Sequence, residues 1–324
     1  MVTLGAGEYQ YELSGADWGQ IPGEWTYKEA TAVDVDGEDH VYVFNRGTVP
    51  MIVFDSAGHV LDSWGEGVFD VPHGVHIGPE GAVYCIDVGA HKVTKHTPEG
   101  ELLLDLKAKH PSGLMSGEPF NRPCQVGIDP RNGDIYVADG YSNARVHKFS
   151  PDGRHVLSWG ESGTDPGYLN VVHDVVVDSE GWVYIADREN HRVQVFDCNG
   201  NYEAQWINSS RAACICMGNG PDPLFYVGEY FAGIVPNATG KNLGPRVTIL
   251  DGKGTVKARL SDESFGDEPG RFYAPHGIAV DSKGDIYVAE GAWREFGWNL
   301  HPPREVRSRW IDCLKDLGWI PAGS

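Results

Sequence analysis

Three histidines share a phase. His73, His173 and His276 each stand 11 residues before a tyrosine, namely Tyr84, Tyr184 and Tyr287. Imidazole is a good ligand for divalent transition ions, and three at one point leave a coordination position open for a reacting group. Zinc suits such a set best, although histidine alone does not separate it from iron, cobalt or manganese. A second group follows tyrosines instead of preceding them. Arg46 lies four after Tyr42, Tyr141 five after Tyr136, and Arg188 four after Tyr184. A phenol beside a metal and two guanidiniums can lose its proton readily enough to serve as a base. The arginines could equally clamp a substrate carboxylate. Taken singly, a buried histidine is more often a core residue bonded to backbone, Tyr141 a rim aromatic, and each arginine the partner of a local acid such as Asp187 or Glu189. The shared phase is what argues for chemistry.

Those tyrosines mark a repeat. An apolar, Tyr, apolar triplet usually follows a glycine turn and ends near an acid: GEDHVYVFN (37–45), GAVYCID (81–87), GDIYVAD (133–139), GWVYIAD (181–187), PLFYVGE (223–229) and GDIYVAE (284–290). The tyrosines Tyr42, Tyr84, Tyr136, Tyr184, Tyr226 and Tyr287 are spaced 42, 52, 48, 42 and 61 apart, the size of a propeller blade. Upstream of each runs a β-branched stretch. Downstream of the first five come an apolar pair with a glycine (Gly58, Gly100, Gly153, Gly200, Gly254) and a further short strand ending in Trp64, Leu104, Trp159, Trp206 and Leu260. Four strands per repeat and six repeats predict an all-β, six-bladed propeller in a single domain spanning 1–324. The repeats occupy about 30–290, and 291–324 form a C-terminal closing segment. The sixth repeat lacks its last strand, so the alternating segment 8–13, EYQYEL, is expected to close the ring by pairing there. A short helix is expected in WIDCLKDLGW (310–319).

In such a ring the innermost strands line a central channel. The three histidines start the inner strands of the second, fourth and sixth blades, so alternate blades deliver them to one height. Residues just after the repeat tyrosines ring the same mouth, which brings Arg46, Tyr141 and Arg188 to the histidines.

The 324 residues contain 46 acidic and 26 basic side chains, a formal charge of −20, which disfavours nucleic acid and anionic membranes as partners. The basic cluster Arg304, Arg307 and Arg309 reads as a solvated strand face. No apolar run reaches the ~20 residues that span a bilayer. The first residues lack the basic start and apolar core of a secretion signal, and none of the six cysteines forms a Cys-x-x-Cys pair, so a cytoplasmic, reduced protein is expected. Cys214 and Cys216 read as buried small hydrophobes.

The pattern GxxYVAD…RVxxFxxxG resembles the NHL repeat family over about 30–290. The stretches VFNRG, VPHGV, DGYSNARV, ADRENHRVQVF and APHGIAVDSKGDIYV resemble the catalytic core of peptidyl-α-hydroxyglycine α-amidating lyase. That resemblance implies a metal-dependent lyase with catalytic zinc on His73, His173 and His276, Tyr141 as base, and Arg46 and Arg188 in the active site. It implies a small substrate carrying a hydroxyl and a carboxylate, a carbinolamide whose C–N bond breaks to release an amide and glyoxylate. It further implies a structural calcium on the backbone carbonyls of Val33 and Val75 and on an aspartate whose position here is Gly277, so that one anionic ligand is missing. Ser142 stands where animal members place a disulfide cysteine, and Ala274 replaces a substrate-contacting methionine. These departures leave the substrate open. Two other classes remain: a metal-dependent propeller hydrolase such as a lactonase, and a non-catalytic NHL ligand-binding module. The role of Cys124, near the channel, is open.

Overall fold

The computed structural model describes residues 2–14, 18–106, 111–230, 243–261, 266, 268–291 and 311–316. Arg304, Arg307, Arg309 and most of the insertion around 233–245 lie outside them. Among the described residues, six antiparallel sheets stand around one axis. The first blade is Ala30–Val35, Val41–Asn45, Met51–Phe54 and Val60–Trp64; the second Pro72–Ile77, Val83–Asp87, Lys92–His96 and Leu102–Asp105. The third is Gln125–Ile128, Ile135–Asp139, Arg145–Phe149 and His155–Trp159; the fourth Val172–Val177, Val183–Asp187, Arg192–Phe196 and Tyr202–Trp206. The fifth is Arg211–Met217, Phe225–Tyr230, Arg246–Leu250 and Val256–Leu260. The six-bladed propeller expected from the repeats is the observed fold.

The sixth blade corrects one expectation. Its strands run Pro275–Val280, Ile286–Glu290, Ile311–Asp316, Tyr9–Leu13 and Thr3–Ala6 from the axis outward. Residues 311–316, expected within a short helix, are a strand. Pairing decides this, because the segment is held between Ile286–Glu290 on one side and Tyr9–Leu13 on the other. Its side chains alternate accordingly: Cys313 packs toward the first blade and Leu314 toward the fifth. The N-terminal strand does close the ring, one place further out than the third strand, which comes from the C-terminal segment.

Apolar clusters fill all six gaps between neighbouring blades. The second strand of every blade is therefore buried on both faces, which is why VYVFN or IYVAD reads as a continuous apolar run and not an alternating one. In the first blade Val41 and Val43 face the sixth, while Tyr42 and Phe44 face the second. Each repeat tyrosine plugs the gap toward the following blade, and burying such a ring stabilises by roughly 1.5–3 kcal/mol. Four of them donate to an acid in their own blade's turn: Tyr42 to Asp36, Tyr84 to Glu80, Tyr184 to Asp178 and Tyr287 to Asp281.

The acid that ends the second strand has a separate task. Asp87 accepts the backbone N–H of Asp70 and Val71, Asp139 that of Asn121, Asp187 that of Asn170, Glu229 that of Ser210, and Glu290 that of Tyr273 and Ala274. Each buried carboxylate pins the loop that launches its own blade's inner strand. No helix among the described residues is long and apolar enough to cross a membrane.

Candidate metal and catalytic site

Five of the six inner strands carry a β-bulge at a constant place. In the second blade Pro72 pairs with Asp87 and Gly74 with Ile86, leaving His73 as the extra residue. His173 and His276 are the extra residues of the fourth and sixth blades, Thr31 and Ala213 those of the first and fifth. A bulge re-aims its extra side chain, here toward the axis. Gly74 makes this possible in the second blade: a Cβ there would lie 2.5 Å from the Cys124 carbonyl oxygen.

Each imidazole is oriented by the next blade. Nδ1 of His73 donates to the Cys124 carbonyl (2.7 Å), that of His173 to the Ala213 carbonyl (2.6 Å), and that of His276 to the Thr31 carbonyl across the ring closure (2.6 Å). A ring whose Nδ1 faces a carbonyl must carry its proton there, so Nε2 keeps a lone pair. The ligating nitrogens lie within 4.8 Å of one another, and the ring centroids within 4.6–5.1 Å. Burial, reinforced by neighbouring positive charge, holds His73 and His173 well below the usual imidazole range and pushes His276 down to about 3.

The Tyr141 hydroxyl donates to Nε2 of His173 (2.9 Å), with Nε2 of His73 3.0 Å away. One phenolic proton can serve only one of three lone pairs, so this donor set suits a cation. Arg188, in the turn Arg188–Asn190, stacks on Tyr141 at 5.5 Å and on Tyr230 at 5.4 Å. Its Nε donates to Glu189 (2.9 Å), which also accepts from Arg211 (2.6 Å). Arg46 donates to buried Glu29 (2.6 Å) and to the Pro72 carbonyl (3.0 Å). Both arginines thus have acid partners, and both stand at the mouth. A cavity of about 190 Å³ opens there, lined by Glu29, Arg46, His73, Arg122, Tyr141, Tyr230 and His276 among others.

Two segments, 169–196 and 272–294, match the NHL repeat. NHL repeat-containing protein 3 of Homo sapiens is 36% identical over 269 residues, covering 77% of this chain and 73% of that protein. The chain belongs to the NHL-repeat family. It also resembles peptidyl-alpha-hydroxyglycine alpha-amidating lyase 1 of Drosophila melanogaster, 33% identical over 72% of the chain and 45% of that protein. Peptidyl-glycine alpha-amidating monooxygenase A of Xenopus laevis is 36% identical over 84% of the chain, which spans 29% of that protein's length. A streptogramin B lyase structure superposes with a TM-score of 0.58 at 13% identity over 96% of this chain and 98% of that one, a likeness of fold.

At the far end of this NHL propeller's channel a smaller cavity of about 140 Å³ holds Val33, Val75, Asp34, His76 and Asp174. These residues do not fit a calcium cage. Gly277 supplies no carboxylate, and a Cβ there would lie 2.7 Å from the Ala32 Cα. Asp34 accepts the N–H of Val35 and Ile77, and Asp174 that of Val175 and Ile215. Tyr230, Glu29 and Arg122 belong to the near mouth and were not expected there. Tyr230 had a signal, lying four after Tyr226 as Arg46 and Arg188 lie four after theirs. Glu29 and Arg122 stand two before the ring residues Thr31 and Cys124, a phase that emerges only once the bulges are seen. Cys124 serves through its carbonyl; burial pushes its thiol up to about 12, which leaves little thiolate and argues against a role as nucleophile.

Proposed function

We propose that this chain is a metal-dependent lyase that cleaves the C–N bond of a carbinolamide, an α-hydroxyglycine-like small molecule. What supports it most is a phenolic oxygen 2.9 and 3.0 Å from two of three converging, outward-anchored imidazoles. His73, His173 and His276 would hold zinc through Nε2. When bound there, zinc supplies Lewis acidity toward a substrate hydroxyl. Tyr141 takes the hydroxyl proton. The C–O bond becomes a carbonyl as the C–N bond breaks, and the amide nitrogen leaves with the proton. The balance is one carbinolamide to one primary amide plus one glyoxylate. The Arg188 guanidinium over the Tyr141 ring favours the phenolate that this cycle passes through. Fixed charges and anchored imidazoles need little reorganisation during the reaction.

Glyoxylate release from α-hydroxyhippurate tests the reading. We expect turnover that is lost on chelation and restored by about one equivalent of zinc per chain. Full activity in metal-free protein, or no glyoxylate with zinc bound, would refute it.

A further inference from the structure

We propose that Arg122 is the residue that selects for a substrate carboxylate at this mouth, an assignment that rests on the lyase reading for its reaction but not for its binding test. The mouth carries several guanidiniums in unequal circumstances. Arg46 is matched to Glu29, and Arg188 and Arg211 share Glu189. Those pairs are largely buried, and a carboxylate ligand reaching either arginine competes with an acid already in place. Arg122 is different. It is exposed, and among the described residues no carboxylate pairs with it. Its guanidinium lies 5.5 Å from the Tyr141 ring centre and lines the same cavity as His73 and His276.

The root of this side chain is fixed, although no carboxylate among the described residues holds its tip. Arg122 has φ 64°, the left-handed region that a residue with a side chain enters at a cost. Its N–H donates to Nδ1 of His91 (3.0 Å), itself at φ 57°. Next to it, the Asn121 N–H is clamped by both oxygens of buried Asp139, 3.0 Å each. Pro123 follows and restricts the arginine further. The loop therefore holds a non-glycine residue in an unfavourable conformation, and the result is a cation over the proposed base. In an α-hydroxy acid the hydroxyl and carboxylate sit on adjacent carbons. A substrate whose hydroxyl proton faces the Tyr141 oxygen can present its carboxylate to Arg122 without displacing any existing ion pair.

Glycolate and glycolamide differ only in the charged group, and neither needs to react. Binding of each to zinc-loaded protein is measured by calorimetry for the unsubstituted chain, Arg122→Gln and Arg122→Lys, with zinc content assayed in parallel. We expect Arg122→Gln to weaken glycolate at least tenfold and glycolamide less than twofold, with zinc content unchanged and Arg122→Lys retaining part of the preference. With α-hydroxyhippurate the same change raises KM more than it lowers kcat. Equal glycolate affinity in Arg122→Gln, or no glycolate binding by the unsubstituted chain, overturns the assignment. Failure of glyoxylate release alone leaves the glycolate comparison standing and strikes only at the lyase reading.

Discussion

Tyr141 is the residue on which the proposed mechanism turns, because its hydroxyl oxygen lies 2.9 and 3.0 Å from Nε2 of His173 and His73, on the side of the imidazoles that faces the mouth. Replacing it by phenylalanine removes the base and leaves all three Nδ1 anchors in place, so turnover is expected to fall by about 10²–10⁴-fold with zinc content unchanged. Turnover within a factor of a few of the original would take Tyr141 out of the chemistry. Glu189 offers a test that needs no substrate. Burial works against its charge, yet the hydrogen bond from Arg211 and the charges of Arg188 and Arg211 hold its carboxyl below the usual 4.5. A carboxyl lowered in the folded state stabilises the fold above its unfolded value, and that contribution is lost as pH falls through the folded value. Glu189→Gln should therefore cost about 1 kcal/mol at pH 7 and progressively less below pH 4.5. Urea titrations across that range would show it, and a pH-independent difference would contradict it.

At the scale of the strand, the device that makes the site is the bulge, backed by a neighbour's carbonyl. Gly74→Ala places a methyl 2.5 Å from the Cys124 oxygen that orients His73, and backbone must shift. Disturbing such a partner typically costs 10–100-fold in metal affinity, so competition with a chelator should show zinc bound at least tenfold more weakly. Unchanged affinity would mean that the carbonyl does not set the ring. This is also where legibility ended. The 11-residue phase of His73, His173 and His276 was readable, because blade spacing repeats in sequence. The bulge was not, because it is a count between two strands, and no single strand records its register. In the third blade, with Cys124 twelve before Tyr136, a longer turn hid the equivalence altogether. The strand at Ile311–Asp316 was missed for a related reason: its partners lie 286–290 and 9–13, and only their faces impose the extended form. The pairing of Arg188 with its neighbour Glu189 was open to a local reading, whereas Glu29, seventeen residues before Arg46, comes to it only through the fold.

For the whole molecule, the last joint of the ring ties distant parts of the chain to the site. Leu4, Tyr11 and Leu13 from the first two strands are 3–8% exposed and pack with Leu260, Ile286 and Leu314 between the fifth and sixth blades. Uncovering side chains of this kind costs roughly 1.5–3 kcal/mol each, against a total domain stability of about 5–15 kcal/mol. Deleting residues 1–14 also leaves Ile311–Asp316 as an unpaired edge, which invites association with other chains. The truncated protein should melt at least 10 °C lower and scatter light on warming, and a peptide of residues 1–14 added in trans should recover part of the loss. The site should weaken with it, although none of these residues approaches the histidines. His276 takes its orientation from the Thr31 carbonyl across the joint between the sixth and first blades, so a loosened sixth blade slackens one ligand of three. Zinc affinity lowered in the truncated chain and raised by the peptide would establish that closure and site are one mechanical unit; a truncated chain with unaltered melting and unaltered zinc affinity would show that the inner strands hold the ring unaided.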